Sequence, residues 1–180
     1  MTATERAFND GHLWTLDFAT ALEGARLLAD APEVRHADLV LAVARGGLWP
    51  AATIAARLRL PLVSVQAMHN PSDAVRVQAE NVVKVSPFSG FADVPQQGVI
   101  VDDICGTGST LEAVRAVLPP PLNQAPAVTL CRNTAARLSP EAWVWDVSDW
   151  VCFPWETPPS THEPTRPLPL PEQGRIRRRR

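Results

Sequence analysis

The sequence predicts an α/β domain built on a mainly parallel sheet flanked by helices. Three observations carry that expectation. Short apolar runs alternate along the chain with stretches of helical period. The runs are apolar throughout rather than at every second residue, as strands covered on both faces are. One of them, residues 98–103, ends in two carboxylates and passes through Gly106-Thr107-Gly108-Ser109-Thr110 into a helical stretch. In an open parallel sheet, that is where a ligand sits.

Taken in order, DFATALEGARLLA (residues 17–29) is an amphipathic helix with Asp17 as its N-cap. LVLAV (39–43) is a strand, followed by the turn Ala44-Arg45-Gly46-Gly47. Pro50 fits the first turn of the next helix, where its missing N–H costs nothing, and PAATIAARL continues it. LVSV (62–65) and VVKV (82–85) read as extended, with a polar, irregular segment at 66–81 between them. After the run at 98–103, a helix from Ser109 to Leu118 is stopped by Pro119, Pro120 and Pro121. AVTLC (127–131) is a further buried strand, and 143–147 and 151–153 are short extended pieces. Residues 1–156 are expected to form the domain. Residues 157–180 are expected to be a disordered, Pro-rich and Arg-ended tail, because 154–171 contain seven prolines and no helical or strand period.

A chain of 180 residues is long enough to bury roughly two thirds of its unfolded surface in one core. Its 46% apolar and 20% charged residues are those of a water-soluble globular protein, with no apolar run of membrane-spanning length and no signal peptide at the start. A cytoplasmic location is expected, with no membrane partner. Cys105, Cys131 and Cys152 are odd in number and widely spaced, so reduced thiols are expected rather than disulfides or a zinc site, and His12, His36, His69 and His162 are equally scattered. Five of the 17 basic residues lie in RIRRRR (175–180), leaving 12 basic against 19 acidic groups in the rest. An acidic body argues against a nucleic-acid face on the domain. The tail is a separate matter: RNA, an acidic partner or the acidic body itself would each suit its arginines.

The loop after 98–103 carries the chemistry. Glycines at 106 and 108 let a ligand approach the backbone. N–H groups entering a helix, with its dipole behind them, bind anions, and Thr107, Ser109 and Thr110 add hydroxyl donors. A GxxxxGK[ST] loop is absent, and a dinucleotide fingerprint would need glycine where Leu111 stands. The loop suits a single phosphate, and Asp102 and Asp103 suit sugar hydroxyls or Mg²⁺.

VIVDDICGTGST resembles the 5-phosphoribosyl-1-diphosphate (PRPP) signature of type I phosphoribosyltransferases. LVLAVARGGLWPAATIAARL resembles the pyrophosphate loop and following helix of the xanthine-guanine and hypoxanthine-guanine branch, and DVSDWVCFPWE its base-binding end. The resemblance spans about residues 13–156 and implies a parallel sheet with a small hood made from the two chain ends. It implies a glycosyl transfer in which a nucleobase displaces pyrophosphate from PRPP with Mg²⁺ as cofactor, in a homodimer or homotetramer. By it, Asp102 and Asp103 hold the ribose hydroxyls, directly or through the metal, and Gly106, Thr107, Gly108, Ser109 and Thr110 hold the 5′-phosphate. Ala44, Arg45 and Gly46 hold pyrophosphate, with the Ala44–Arg45 peptide cis. Residues 66–81 form a closing loop from which Arg76 reaches the pyrophosphate. Trp150 stacks on the base and Val151 offers backbone groups to its edge.

The pattern breaks at the base. The branch has an acid, facing purine N7, where this chain has Gly106. It has a lysine for the 6-oxo oxygen where this chain reads Cys131-Arg132-Asn133, and the bacterial xanthine-guanine type has an acid at Cys152. Arg132 or Asn133 is expected to donate in place of the lysine. Transfer to guanine, xanthine or hypoxanthine is the leading expectation. A modified base such as a 7-deazapurine, for which glycine at 106 would leave room, is the alternative, together with a non-catalytic PRPP or nucleotide sensor.

Overall fold

The computed structural model describes residues 5–68, 75–76, 83–86, 97–159, 162–172 and 176–179. In chain order the elements are β1 (Leu13–Thr15), α1 (Phe18–Ala29), β2 (Leu39–Ala44), α2 (Leu48–Leu58), β3 (Leu62–Met68), β4 (Lys84–Val85), β5 (Gly98–Cys105), α3 (Ser109–Val117), a 3-10 turn (Leu122–Gln124), β6 (Ala127–Asn133), β7 (Ala142–Val147), β8 (Val151–Cys152), β9 (Thr165–Pro167) and β10 (Arg177–Arg178). Asp17 caps α1 as expected, its carboxylate accepting from the Thr20 N–H at 2.7 Å.

Seven strands form the main sheet in the order β10-β7-β6-β5-β2-β3-β4. The five inner strands are parallel, and β4 and β10 close the two edges antiparallel. From β2 the chain steps outward to β3, then returns to β5 and steps the other way through β6 and β7. The strand order therefore reverses between β2 and β5, where the loops leaving the two strands diverge and open a crevice. Those loops are Arg45–Gly47 and Gly106–Gly108, the two that the sequence marks for anions.

Burial on both faces explains the continuous apolar runs. Along β2 and β5, Val40, Ala42, Val99 and Val101 face one core with Ala25, Leu28, Ile54 and Leu130. Leu39, Leu41, Val43 and Ile100 face the other, with Leu111 and Val114 of α3 and Leu122. Trp143 and Trp145 are buried.

A second sheet of three strands, β8-β1-β9, is the hood, built from both ends of the chain. The N-terminal strand β1 is too short to be read in the sequence. The tail corrects the expectation of disorder where it is described. Thr165–Pro167 pairs with β1, the Leu168 N–H donates to the Thr15 carbonyl at 2.8 Å, and Leu168 is buried. The Pro169 carbonyl accepts from Trp145 Nε1 at 3.1 Å. A Pro-rich segment is extended without help from a hydrogen-bond ladder, so it can lie on a sheet edge with few N–H groups to satisfy. Of the three partners that suit the arginines, the acidic body takes the three that are described. Arg177, Arg178 and Arg179 pair with Asp146, Glu33 and Glu141, and β10 lies along β7.

Candidate active site

Strand β5 carries Asp102 and Asp103 to the open end of the sheet, each only 7% exposed. Asp102 Oδ1 accepts from the Asp103 N–H at 2.9 Å, and Trp155 Nε1 donates to Asp103 Oδ2 at 3.3 Å. The loop after β2 passes against the same carboxylate. A Cβ built on Gly46 would lie 2.5 Å from Asp103 Cγ, so only glycine lets the backbone approach this closely. The Ala44–Arg45 peptide is cis, and Arg45 is exposed at the crevice.

Burial raises both carboxyls above the ordinary range. Asp102 is pushed well up by desolvation and then by the charge of Asp103, which Arg6 opposes in part. Asp103 is raised by desolvation, with the Trp155 hydrogen bond acting the other way. Two adjacent desolvated acids are a site short of positive charge. Beside them the Cys105 thiol is pushed up to about 12, by burial and then by Asp102, and it donates to the Leu138 carbonyl at 3.1 Å. The three cysteines are free thiols, two of them buried.

The turn from β5 into α3 is fixed from outside. Gly108 sits at φ +95°, and the Leu138 backbone and Cβ leave no space for a side chain there. The Arg137 and Leu138 N–H groups both donate to the Thr107 carbonyl. Thr107 Oγ1 and Ser109 Oγ share a 2.9 Å hydrogen bond. The Ser109 N–H donates to Thr107 Oγ1 at 3.3 Å, and the start of α3, with its dipole behind it, lies at the crevice beside the Thr107 and Ser109 hydroxyls.

The hood holds Trp150 and Val151, the residues expected to meet the base. The β1 ladder uses the carbonyls of Trp150 and Cys152. Val151 therefore turns its own N–H and C=O to the free edge of β8. Cys152 is half-buried, its thiol raised by burial and by Glu156. Asn133, at the end of β6, is 1% exposed and reaches the N-terminal segment. Its Oδ1 accepts from the Ala7 N–H and its Nδ2 donates to the Ala7 carbonyl, both at 3.0 Å.

Two expected donors are placed elsewhere. Arg132 points to the opposite side of β6 from Asn133, pairing with Asp146 at 3.1 Å and lying 4.4 Å over the Trp143 ring. It is not the stand-in for the lysine, because successive strand residues face opposite ways. Arg76 is committed to the base end rather than to pyrophosphate, bonding Asp149 at 2.7 Å and pairing with Glu163. Of the segment 66–81 expected to close over the site, residues 69–74 and 77–81 lie outside the described residues. Asp149 is fully buried. Burial acts to raise its carboxyl, but the Arg76 hydrogen bond and the N–H groups of Trp150 and Asp10 outweigh that and hold it below the usual range.

The room expected at Gly106 is filled. A Cβ there would lie 2.9 Å from Arg6 Cζ and 3.0 Å from its Nη2. Desolvation lowers the Arg6 guanidinium from its ordinary value, while Asp103, Cys105 and Asp102 raise it. Arg6 and Asp149 are the functional candidates that sequence reasoning passed over. Arg6 has no local signal, since only the fold brings residue 6 to residue 106.

A switch-point crevice with paired acids, a glycine-hydroxyl loop and a hood made of both chain ends is now in view. The phosphoribosyl transferase domain model matches residues 19–161. The chain belongs to the phosphoribosyltransferase family. It lies with the xanthine-guanine branch: it is 31% identical to the xanthine-guanine phosphoribosyltransferase of Nitratidesulfovibrio vulgaris over 120 residues, 66% of this chain and 68% of that one. It is 31% identical to the enzyme of the same name from Ruegeria sp. over 149 residues, 78% and 81% of the two chains. In fold it is similar to the purine phosphoribosyltransferase of Pyrococcus horikoshii, with a TM-score of 0.67 at 23% identity over 84% of this chain and 99% of that one.

Proposed function

We propose that this phosphoribosyltransferase transfers the 5-phosphoribosyl group of PRPP to a 6-oxopurine, guanine, xanthine or hypoxanthine, releasing pyrophosphate and a nucleoside 5′-monophosphate in purine salvage. The observation that carries the reading is the convergence of Gly46 on the Asp103 carboxylate. It supports a site in which one sugar is held between a pyrophosphate loop and a phosphate loop. In this assignment Gly106, Thr107, Gly108, Ser109 and Thr110 hold the 5′-phosphate on the N-terminus of α3. Asp102 and Asp103 accept from the ribose hydroxyls, and Arg45 with the backbone of Ala44 and Gly46 holds the leaving pyrophosphate. A purine nitrogen attacks C1 as the bond to pyrophosphate breaks, and positive charge builds on the ribose ring. Preorganised charge at both ends of that transition state is the main catalytic contribution.

Asp102 and Asp103 also fit Mg²⁺: they are hard oxygen donors, buried and short of positive charge. Bound there with the substrate phosphates, the ion would neutralise charge on the leaving group. Trp150 is the stacking platform and the free edge of Val151 the hydrogen-bonding partner of the base.

The same reading includes a cytoplasmic location, for which the three free thiols speak; among the described residues no helix is long and apolar enough to cross a membrane. It also includes a homodimer or homotetramer, which the exposed Phe18 and Trp49, 44% and 51% accessible, would serve by burying aromatic surface. The test is product analysis with PRPP, Mg²⁺ and separate bases. A 6-oxopurine should give its 5′-monophosphate, and a product only with a pyrimidine would refute the assignment.

A further inference from the structure

The N-terminal segment is built into the base end. Besides the paired Ala7–Asn133 hydrogen bonds, the Asn9 N–H donates to the Ser148 carbonyl at 2.7 Å and the Asp10 N–H to Asp149 Oδ2 at 3.1 Å. The Phe8 ring lies 6.4 Å from that of Trp150. These contacts hold Arg6 with its Nε shielded from solvent and its guanidinium over Gly106, facing Asp102, Asp103 and Cys105. Two of the three departures from the branch then have one explanation. The acid at 106 is missing because a side chain there would strike Arg6, the lysine position carries Asn133 because an amide holds Ala7, and the donor both changes leave to be supplied is Arg6.

Resting on the 6-oxopurine reading, we propose that Arg6 is the specificity-determining residue of the base site, its fork of N–H groups donating together to O6 and N7 of the purine. Those two atoms are adjacent acceptors in guanine, xanthine and hypoxanthine, and their spacing matches two parallel guanidinium N–H groups. Adenine presents an amino donor in place of O6 and is rejected. A 7-deazapurine presents C–H in place of N7, so it loses one of the two bonds. An acid in this position would take the proton from N7 as N9 attacks; an arginine instead favours the purine anion, which has given its proton to water before N9 attacks C1, and the guanidinium charge stabilises that anion.

The test compares wild type, Arg6→Ala and Arg6→Lys in PRPP binding, and in steady-state kinetics with guanine, 7-deazaguanine and adenine. Arg6→Ala should raise the guanine KM roughly ten- to a hundredfold, the usual loss for a bidentate arginine–base pair, without weakening PRPP binding. It should also erase the preference for guanine over 7-deazaguanine. Arg6→Lys, a point charge without the fork, should keep part of the affinity and lose the preference. Adding Gly106→Asp to Arg6→Ala should recover guanine transfer. An unchanged guanine to 7-deazaguanine ratio in Arg6→Ala overturns the proposal, as does faster turnover of every base, which would make Arg6 a plug. Wild type that binds PRPP and turns over no base sinks the transferase reading itself, and the proposal with it.

Discussion

Replacing Asp102 by asparagine should make the ligand-free protein more stable and the enzyme inactive. The wild-type carboxyl is 7% exposed, beside Asp103 at the same exposure, and both are raised above the ordinary 3.8. A raised folded value means the native protein binds the proton more tightly than the unfolded chain does. The protein therefore loses stability as pH rises from about 4 through the folded value. Asparagine removes the charge, keeps the volume, and keeps an oxygen for the Asp103 N–H bond at 2.9 Å. Relieving one desolvated, repelled charge is worth roughly 1–3 kcal/mol. At about 2–4 °C per kcal/mol for a chain of this size, the melting temperature at pH 7.5 should rise by roughly 2–12 °C. The assay is thermal denaturation of both proteins at pH 4 and 7.5, without ligand and then with Mg²⁺ and PRPP. The gap should largely close at pH 4, where the folded acid is protonated and the unfolded one is only about half ionised, and ligand should stabilise wild type alone. A variant that melts below wild type at pH 7.5, or whose advantage is the same at pH 4, refutes the electrostatic account of this site.

Three other outcomes follow from the contacts. Gly46→Ala places a Cβ 2.5 Å from Asp103 Cγ; it should cost about 1–3 kcal/mol of stability by denaturant titration and abolish PRPP binding by calorimetry. Arg76→Ala leaves Asp149 buried without its ion partner and should destabilise by roughly 1–3 kcal/mol at pH 7. Because the Asp149 carboxyl is lowered in the fold, that loss should fade as pH falls through its folded value, below the ordinary 3.8. Leu168→Ala opens a gap behind β9 and should destabilise the domain by about 2–5 kcal/mol, whereas a loose tail would give no change.

What the sequence made legible was local. The strand into Asp102 and Asp103, the cap at Asp17, the proline stop of α3 and the loop at 106–110 each follow from a few neighbouring residues, and the structure has all of them. β1, β9 and β10 span three, three and two residues, too few for a period. They exist because distant chain supplies their partners. Composition misled in the tail, where prolines that exclude a central strand still suit an edge. At the base site, Gly106 and Asn133 looked like losses because their counterpart, Arg6, is a hundred residues or more away and is brought to them by tertiary contacts such as the Ala7–Asn133 pair. Arg132 was the wrong donor for a reason the sequence does contain: it alternates with Asn133 along β6.

The central claim is that Asp103 and the loops it touches form a PRPP site serving transfer to a purine. The most direct test is pyrophosphate release from PRPP and Mg²⁺ with guanine, xanthine or hypoxanthine, comparing wild type with Asp103→Asn. The account predicts release by wild type that depends on both the base and the metal, and none above background from a folded Asp103→Asn protein. Transfer by Asp103→Asn at the wild-type rate, or release by wild type that ignores the base, would contradict it.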